Sequence, residues 1–156
     1  VNFVRADMRT FKRAGFFDLV INLFTSFGYF EDIEDDRQVL ANVHASLRPG
    51  GVFVIDLMGK EVLSRIFSPR DWREEDGELL LEERRVTHDW SWITNKWIVI
   101  RDGERTDFEV AHRIYSAWEL KTMLAECGFG RITAYGALDG NPYDAQAERL
   151  VVWAQK

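Results

Sequence analysis

Cysteine and clustered basic residues are the first things that this sequence lacks. The single Cys127 among 156 residues excludes an intrachain disulfide and a cysteine-rich metal site. One cysteine also fits a reducing compartment, so we expect a cytoplasmic protein. The net charge is −6 and no Lys/Arg-rich run occurs. Partners such as nucleic acid or an anionic membrane surface are therefore not expected.

Long apolar runs and convergent metal ligands are also missing. No apolar run reaches the roughly 18–20 residues of a membrane span. The three histidines show no HxxxH-type spacing, so no metal site is predicted. What the sequence does have is 46% hydrophobic and 13% aromatic residues, which is enough for one folded domain with a substantial core.

Two apolar runs on either side of a helical pattern predict a βαβ unit. Residues 17–23 and 52–57 are near-continuous apolar runs, typical of strands buried on both faces. Between them, residues 33–47 carry apolar side chains at helical spacing, with Asp35 or Asp36 as the expected N-cap. A Pro-Gly-Gly turn ends this helix. The order predicts two parallel strands joined by a right-handed crossover.

Short strands are predicted at the start of the chain and in its middle. Residues 1–6 alternate apolar and polar positions, which suits a short strand. Thr94-Asn95 and Asp102-Gly103 read as turns. The β-rich runs that they and other breaks separate are 79–86, 90–93, 96–100 and 108–115. Four closely spaced strands predict an antiparallel insert beside the main sheet.

The last third of the chain predicts one helix and two strands. Ser116 and Glu119 form a capping-box pattern at the start of the helix, and Gly128 stands where a left-handed C-terminal residue is expected. Residues 132–138 and 150–154 read as strands joined by a short loop, which favours an antiparallel pair.

Four local segments, taken in order, match the pattern of a known family. Residues 6–9 (ADMR) are similar to its loop after the third strand, and residues 17–29 to its fourth strand and cofactor-facing loop. Residues 47–51 (LRPGG) are similar to its turn into the fifth strand, and residues 116–156 to its last helix and its sixth and seventh strands. The chain thus resembles the class I S-adenosylmethionine-dependent methyltransferases. It is most similar to small-molecule members with a β-rich insert after the fifth strand, such as sugar-amine and glycine N-methyltransferase-like enzymes.

The resemblance implies a partial Rossmann-like α/β fold with an antiparallel β insert and a closing antiparallel hairpin. Residues 1–156 would form a single partial methyltransferase domain. Within it, residues 1–67 and 116–156 would be the α/β core, and residues 72–115 would be an insert that roofs the substrate side.

One part of the family pattern is absent from the sequence. The family's glycine-rich loop and its ribose-binding acid should precede Asp7, and neither is found there. The family sheet has the order 3-2-1-4-5-7-6, so the strand at 17–23 would have an open apolar edge, which invites pairing. We expect the strand near Phe3 to pack against the sheet in a way foreign to the family, or a partner to cover the edge. That partner would be a second copy or a missing N-terminal segment.

The resemblance also assigns cofactor roles to residues that follow the strands. The Asp7 carboxylate would accept a hydrogen bond from the adenine amino group, and Met8 would flank the adenine. Backbone groups of Leu23 and Phe24 would meet the methionine portion. Tyr29 would cover the cofactor or point at the methyl acceptor. Ordinary alternatives stand beside these roles, namely a loop acid for Asp7, core packing for Met8 and a surface edge for Tyr29.

Three further candidates lie where the insert meets the last helix. Neutral His112 would take a proton from a substrate amine or hydroxyl, which together with Tyr29 makes it a catalytic candidate. Arg113 would bind a substrate carboxylate, and Tyr115 would contact the substrate. A core histidine and a surface ion pair are the alternatives. Asp56, at the end of the fifth-strand run, is a weaker candidate.

The resemblance implies methyl transfer from S-adenosyl-L-methionine to the nitrogen or oxygen of a small-molecule acceptor. This chain would supply the latter part of the cofactor and substrate pocket. The alternative is a non-catalytic subunit or truncated fragment that pairs with a strand-donating partner and does not bind cofactor alone. A nucleotide-binding oxidoreductase of similar architecture would need a dinucleotide glycine fingerprint, which the sequence lacks.

Overall fold

Two four-stranded β-sheets and three α-helices form the structure, a computed structural model that describes residues 1–156. The strands are β1 (Phe17–Asn22), β2 (Leu47–Leu57), β3 (Arg70–Glu75), β4 (Glu78–Thr87), β5 (Trp92–Arg101), β6 (Glu104–Arg113), β7 (Ile132–Tyr135) and β8 (Leu150–Gln155). The helices are α1 (Ile33–Ser46), α2 (Lys60–Ile66) and α3 (Ala117–Glu126). None of these helices combines the length and the apolar character that crossing a membrane requires.

The first sheet has the strand order β1-β2-β8-β7. β1 and β2 run parallel, with Leu19 opposite Val52 and Asn22 opposite Ile55, and α1 forms the connection between them. β8 runs antiparallel to both β2 and β7. The predicted βαβ unit and the closing antiparallel pair are therefore confirmed. The order also matches the 4-5-7-6 part of the sheet that the resemblance implies.

The main core lies between the first sheet and helices α1 and α3. Its completely buried side chains include Leu40, Leu47, Ile55, Leu120 and Leu150. They come from apolar positions at helical spacing in the helices and at alternate positions in β2 and β8. Burial of these apolar faces holds the helices on the sheet.

β1 is an edge strand with one uncovered face. Phe17 and Val20 pack against the main core, whereas Leu19 and Ile21 are 55% and 59% exposed. The predicted burial of this strand on both faces is therefore wrong, because no element of the chain lies over its outer face. The predicted open edge is present, since β2 is the only strand that pairs with β1.

Residues 1–6 form no strand, so the predicted strand near Phe3 and its packing against the sheet are wrong. All six residues are exposed, and the Phe3 side chain contacts no core. A two-residue alternation stabilises a strand only where a sheet offers a partner and a surface to bury one side, and this segment reaches neither.

The second sheet is an antiparallel meander with the order β3-β4-β5-β6. The predicted turn at Asp102-Gly103 is confirmed, but the predicted turn at Thr94-Asn95 is wrong. Both residues lie inside β5, where each pairs with β4 on one side and β6 on the other. The actual turn before β5 contains residues 88–90, all with positive φ. β3 was not predicted, because its charged, exposed sequence lacks apolar alternation.

A small second core joins the two sheets. Leu63 of α2 packs with Ile93 of β5 and with Ile114, which follows β6. At the same junction the Arg113 amide donates a 2.7 Å hydrogen bond to the Gly28 carbonyl. Gly28 has a φ of +94°, and a Cβ there would lie 2.8 Å from the Arg113 carbonyl oxygen. Glycine at this position thus lets the segment after β1 approach the end of β6.

Candidate functional site

A cavity of about 310 Å³ lies between the loops that follow β1 and β2 and the inner face of the second sheet. Phe24 and Tyr29 reach it from the segment after β1. Asn95 of β5 and His112 of β6 also line it, and so does Arg149, the residue before β8. We call it the central cavity. Its position beyond the carboxyl ends of two parallel strands is where open α/β sheets bind ligands.

His112 and Tyr29 meet inside the central cavity. Their ring centroids are 5.2 Å apart and their planes are inclined by 31°. His112 is 8% exposed, and its Nδ1 is buried without a hydrogen-bond partner. Burial lowers the pKa of His112 from its ordinary 6.5, so the imidazole is neutral at pH 7. The structure thus brings the two predicted catalytic residues together, while their catalytic role stays a prediction.

The turn after β1 forms one rim of the central cavity. Phe24 and Thr25 both have left-handed backbone conformations, with φ of 57° and 58°. Their amides donate 3.0 Å hydrogen bonds to Asp56, Phe24 to the carboxylate and Thr25 to the carbonyl oxygen. The Thr25 hydroxyl accepts a hydrogen bond from the Met58 amide. Asp56, at the end of β2, therefore holds the turn through both its carboxylate and its carbonyl oxygen.

An ion pair between Arg149 and Asp56 supports this turn. Arg149 Nε donates to Asp56 Oδ1 at 2.8 Å and Nη2 donates to Oδ2 at 3.0 Å, a bidentate arrangement. Nη2 also donates to the Thr25 hydroxyl at 3.1 Å. Sequence reasoning missed Arg149, because one arginine before an apolar strand carries no signal by itself. The pairing of Leu57 with Leu150 is what brings it beside Asp56.

The two residues predicted to meet the adenine lie away from the central cavity. Asp7 is exposed, and its carboxylate accepts hydrogen bonds from the Arg9 amide at 2.9 Å and from Arg9 Nη2 at 2.7 Å. These hydrogen bonds lower the pKa of Asp7 to about 2. The Met8 carbonyl accepts a 3.1 Å hydrogen bond from the side-chain Nδ2 of Asn42 in α1. The N-terminal segment is thereby attached to the side of α1.

Met8 lines a second cavity of about 180 Å³ along the open edge of β1. We call it the edge groove. Ile21 and Asn22 of β1 and Val39 of α1 are among its other walls. Of the residues predicted to hold the cofactor, Phe24 and Tyr29 therefore line the central cavity and Met8 lines the edge groove. Leu23 and Asp7 line neither, and the cofactor roles stay predictions.

Arg113 and Tyr115, the predicted substrate-binding residues, are occupied elsewhere. Neither lines the central cavity. The Tyr115 hydroxyl donates a 2.6 Å hydrogen bond to Asp36 Oδ2, and both side chains are buried. Arg113 donates to the Glu31 carbonyl at 2.8 Å, and its Nε lies 3.6 Å from Asp36 Oδ2. Through these contacts both residues join α1 to the end of the second sheet, and their substrate-binding role stays a prediction.

Asp36 is a buried acid rather than the cap of α1. The predicted cap at Asp35 or Asp36 is wrong, because the Asp32 carboxylate accepts the capping hydrogen bond instead. Burial raises the pKa of Asp36, and burial with the hydrogen bond to Asp36 raises the pKa of Tyr115. No group of three or more His, Cys, Asp or Glu side chains is arranged to hold a metal ion.

Comparisons with known proteins place this fold among methyltransferases. No protein-family model matches the sequence, and no curated protein matches it. The structure of the CcbJ methyltransferase from Streptomyces caelestis has a TM-score of 0.85 at 17% identity, covering 97% of this chain and 62% of that chain. An S-adenosylmethionine-dependent methyltransferase from Clostridium acetobutylicum has a TM-score of 0.81 at 19% identity, covering 97% and 63%.

A third solved structure has a lower TM-score but covers a similar share of both chains. It is an amino pentose methyltransferase from Micromonospora echinaspora, solved with S-adenosylmethionine bound, with a TM-score of 0.62 at 22% identity. It covers 97% of this chain and 63% of that chain. The chain thus has the Rossmann-like methyltransferase fold that the sequence resemblance implies. It spans less than two thirds of the length of these three structures.

Proposed function

We propose that the protein transfers a methyl group from S-adenosyl-L-methionine to the nitrogen or oxygen of a small-molecule acceptor. The observation that carries this proposal is the central cavity, in which neutral His112 lies against Tyr29 beyond the ends of two parallel strands. The similarity to solved methyltransferases supports the reaction class. This chain would supply the acceptor side of the pocket and part of the cofactor side.

The residues that would hold the cofactor provide part of a site for an adenosyl group with a methionine tail. Asp7 is ionised at neutral pH, so its carboxylate is an acceptor for an amino group. Met8 offers an apolar surface in the edge groove. The backbone at Leu23 and Phe24, together with Tyr29, would meet the methionine portion. When bound, the cofactor supplies an already activated methyl group.

The chain's own residues would then bind and orient the acceptor. Methyl transfer requires an acceptor atom about 3–3.5 Å from the methyl carbon, so positioning provides much of the acceleration. His112 is neutral and lines the cavity, and it would accept the proton that an amine or hydroxyl loses. Tyr29 packs against the imidazole and fixes one face of the acceptor site.

Two measurements on the purified protein test this proposal. Calorimetry with S-adenosylmethionine and S-adenosylhomocysteine reports cofactor binding, and transfer from methyl-labelled donor to a panel of small amines and alcohols reports activity. We expect His112→Gln to lower kcat by about 10²-fold, the usual contribution of a general base, with cofactor affinity retained. His88→Gln, a change of an exposed histidine outside the cavity, is the matched control.

The alternative is a non-catalytic subunit that pairs with a strand-donating partner. The open edge of β1 and its exposed Leu19 and Ile21 favour it. Calorimetry on this chain alone, and on the chain with any coding sequence upstream of Val1, distinguishes the two proposals. Binding only to the longer form identifies a fragment of an enzyme. Absence of binding in both forms supports the subunit.

A further inference from the structure

We infer that Arg149 is a positioning residue for the central cavity, acting through Asp56 on the Phe24-Thr25 turn. Arg149 would thereby fix the shape of the cavity rim. This role rests on the proposed function only where it extends to methyl transfer. Arg149 would not touch the reacting atoms, because its Nε and Nη2 donors already serve Asp56 and Thr25.

Contacts from outside the turn must stabilise it, because its own two residues disfavour the backbone conformation that they adopt. Left-handed backbone is unfavourable for any residue other than glycine, most of all for a bulky or β-branched one. Phe24 and the β-branched Thr25 adopt it in succession. The Phe24 side chain is 79% exposed, so burial of the ring does not hold the turn. Hydrogen bonds therefore hold it, and those that reach it from β2 and the residue after β2 are the bonds of the two amides to Asp56 and the bond of the Met58 amide to the Thr25 hydroxyl.

Asp56 in turn needs Arg149 to remain a fixed acceptor. The Asp56 side chain is 2% exposed, and a carboxylate buried to this degree is costly unless it is paired. The planar guanidinium binds both carboxylate oxygens and so sets their orientation. Oδ2 then faces the Phe24 amide at 3.0 Å. The same Nη2 fixes the Thr25 hydroxyl, so one side chain holds both residues of the turn.

A plain stabilising ion pair is the alternative interpretation, and it predicts a different pattern of local motion. Such a pair would affect the whole first sheet evenly, including Val152 in the middle of β8. A positioning residue would affect the amides of Phe24 and Thr25 far more than the amide of Val152. Amide hydrogen exchange measures these opening events residue by residue, with no cofactor present.

The experiment compares Arg149→Met and Arg149→Lys with Arg48→Met as the matched control. Arg48 also pairs with an acid, since its Nη1 donates to both carboxylate oxygens of Asp18 at the start of β1, but this pair is exposed and lies at the other end of the strand from the turn. We expect Arg149→Met to speed exchange of the Phe24 and Thr25 amides at least about tenfold relative to Val152. Arg149→Lys keeps the charge and should give a smaller change of the same pattern.

Two outcomes would overturn the inference. One is unchanged exchange at Phe24 and Thr25 in the Arg149 variants, and the other is an equal change in Arg48→Met. If Arg149→Met fails to fold because Asp56 is left buried and unpaired, Arg149→Lys decides the question by the same criterion.

Kinetics extend the test to the proposed reaction. We expect Arg149→Lys to lower kcat about tenfold while the acceptor KM stays within about threefold, because orientation and not contact is lost. A rise in the acceptor KM of Arg149→Lys without a loss of kcat would contradict a positioning role for Arg149. Should the unsubstituted protein transfer no methyl group, the proposed function fails, and the exchange measurements still decide the role of Arg149.

Discussion

His112 lowers the stability of the folded protein through its buried imidazole. Its Nδ1 is buried without a partner, and an unsatisfied polar group of this kind costs about 1–3 kcal/mol. Burial also keeps the imidazole neutral. Both properties are expected of a group reserved for a ligand, since a bound acceptor would supply the missing partner. They make His112 the residue whose replacement should separate stability from function.

We expect His112→Leu to stabilise the protein at pH 7 by about 1 kcal/mol, because an unpartnered polar atom is replaced by an apolar side chain. It should also flatten the pH dependence of the free energy of unfolding. The folded-state pKa of His112 is lowered from 6.5, so the unfolded chain binds more protons between these two values. Stability is therefore full above pH 6.5 and is lost as the pH falls through the folded pKa.

Urea unfolding between pH 5 and 8 checks this prediction. The pKa of His44 is also lowered, mainly by burial, so part of the pH dependence should remain in His112→Leu. His88→Gln, which changes an exposed histidine outside the central cavity, is the matched control. A His112→Leu profile as steep as that of the unsubstituted protein would contradict the expected role of this imidazole.

Tyr115 gives a second prediction at this scale. Tyr115→Phe removes the hydroxyl that donates to buried Asp36, and should lower the free energy of unfolding by about 1–3 kcal/mol. Tyr135→Phe is the control, because Tyr135 is half-buried and its hydroxyl makes no hydrogen bond within the protein. Equal effects of the two changes in urea unfolding would show that the Asp36 contact adds no stability.

Among the elements, α3 shows how a local signal fixes a boundary. The Ser116 hydroxyl accepts a hydrogen bond from the Glu119 amide at 3.2 Å, and the Glu119 carboxylate accepts one from the Ser116 amide at 2.8 Å. The same carboxylate binds Lys60 Nζ at 2.8 Å, so the cap also joins α3 to the start of α2. A capping box of this type is visible in sequence because all its atoms lie within one helical turn.

Ser116→Ala should lower the free energy of unfolding by about 1 kcal/mol, the usual cost of a lost N-cap. Ser64→Ala is the matched control, since the Ser64 hydroxyl donates only to a carbonyl of its own helix at an exposed position. Urea unfolding of both variants measures the difference. A loss in Ser64→Ala as large as that in Ser116→Ala would contradict the expected contribution of the cap.

Sequence reasoning succeeded where a few neighbouring residues determine the structure. It located α1, α3, the 52–57 part of β2 and the turn at Asp102-Gly103 from local patterns of apolar spacing, caps and turn residues, but it took residues 48–51, which belong to β2, for a turn. It failed at Thr94-Asn95, where pairing with strands on both sides overrides a turn-like dipeptide. The exposed strand β3 was missed for lack of apolar alternation. Arg149 was missed because only long-range strand register brings it to Asp56.

For the whole molecule, the unpaired edge of β1 is the feature that we expect to affect its association in solution. A strand with one free edge and exposed apolar side chains is a template for pairing with another chain. We expect the protein to self-associate as its concentration rises, and Ile21→Lys to reduce that association. Sedimentation velocity over a range of concentrations measures it.

The control for this prediction is Leu138→Lys, which places the same charge at another exposed apolar residue, outside the strands. We expect it to leave association unchanged. Equal effects of the two lysines would point to net charge rather than to the β1 edge. A protein that stays monomeric at all concentrations would contradict the expected pairing.

The position of β8 determines the order in which the protein can fold during synthesis. Leu57 at the end of β2 pairs with Leu150, so the second edge of β2 has no partner until the ribosome has made the whole β3–β6 meander. The meander is built from neighbouring strands and can form while translation continues. The side of the central cavity that the second sheet forms can therefore be in place before Arg149 has been synthesised. Until β8 has been synthesised, we expect that apolar edge of β2 to be open to non-native pairing.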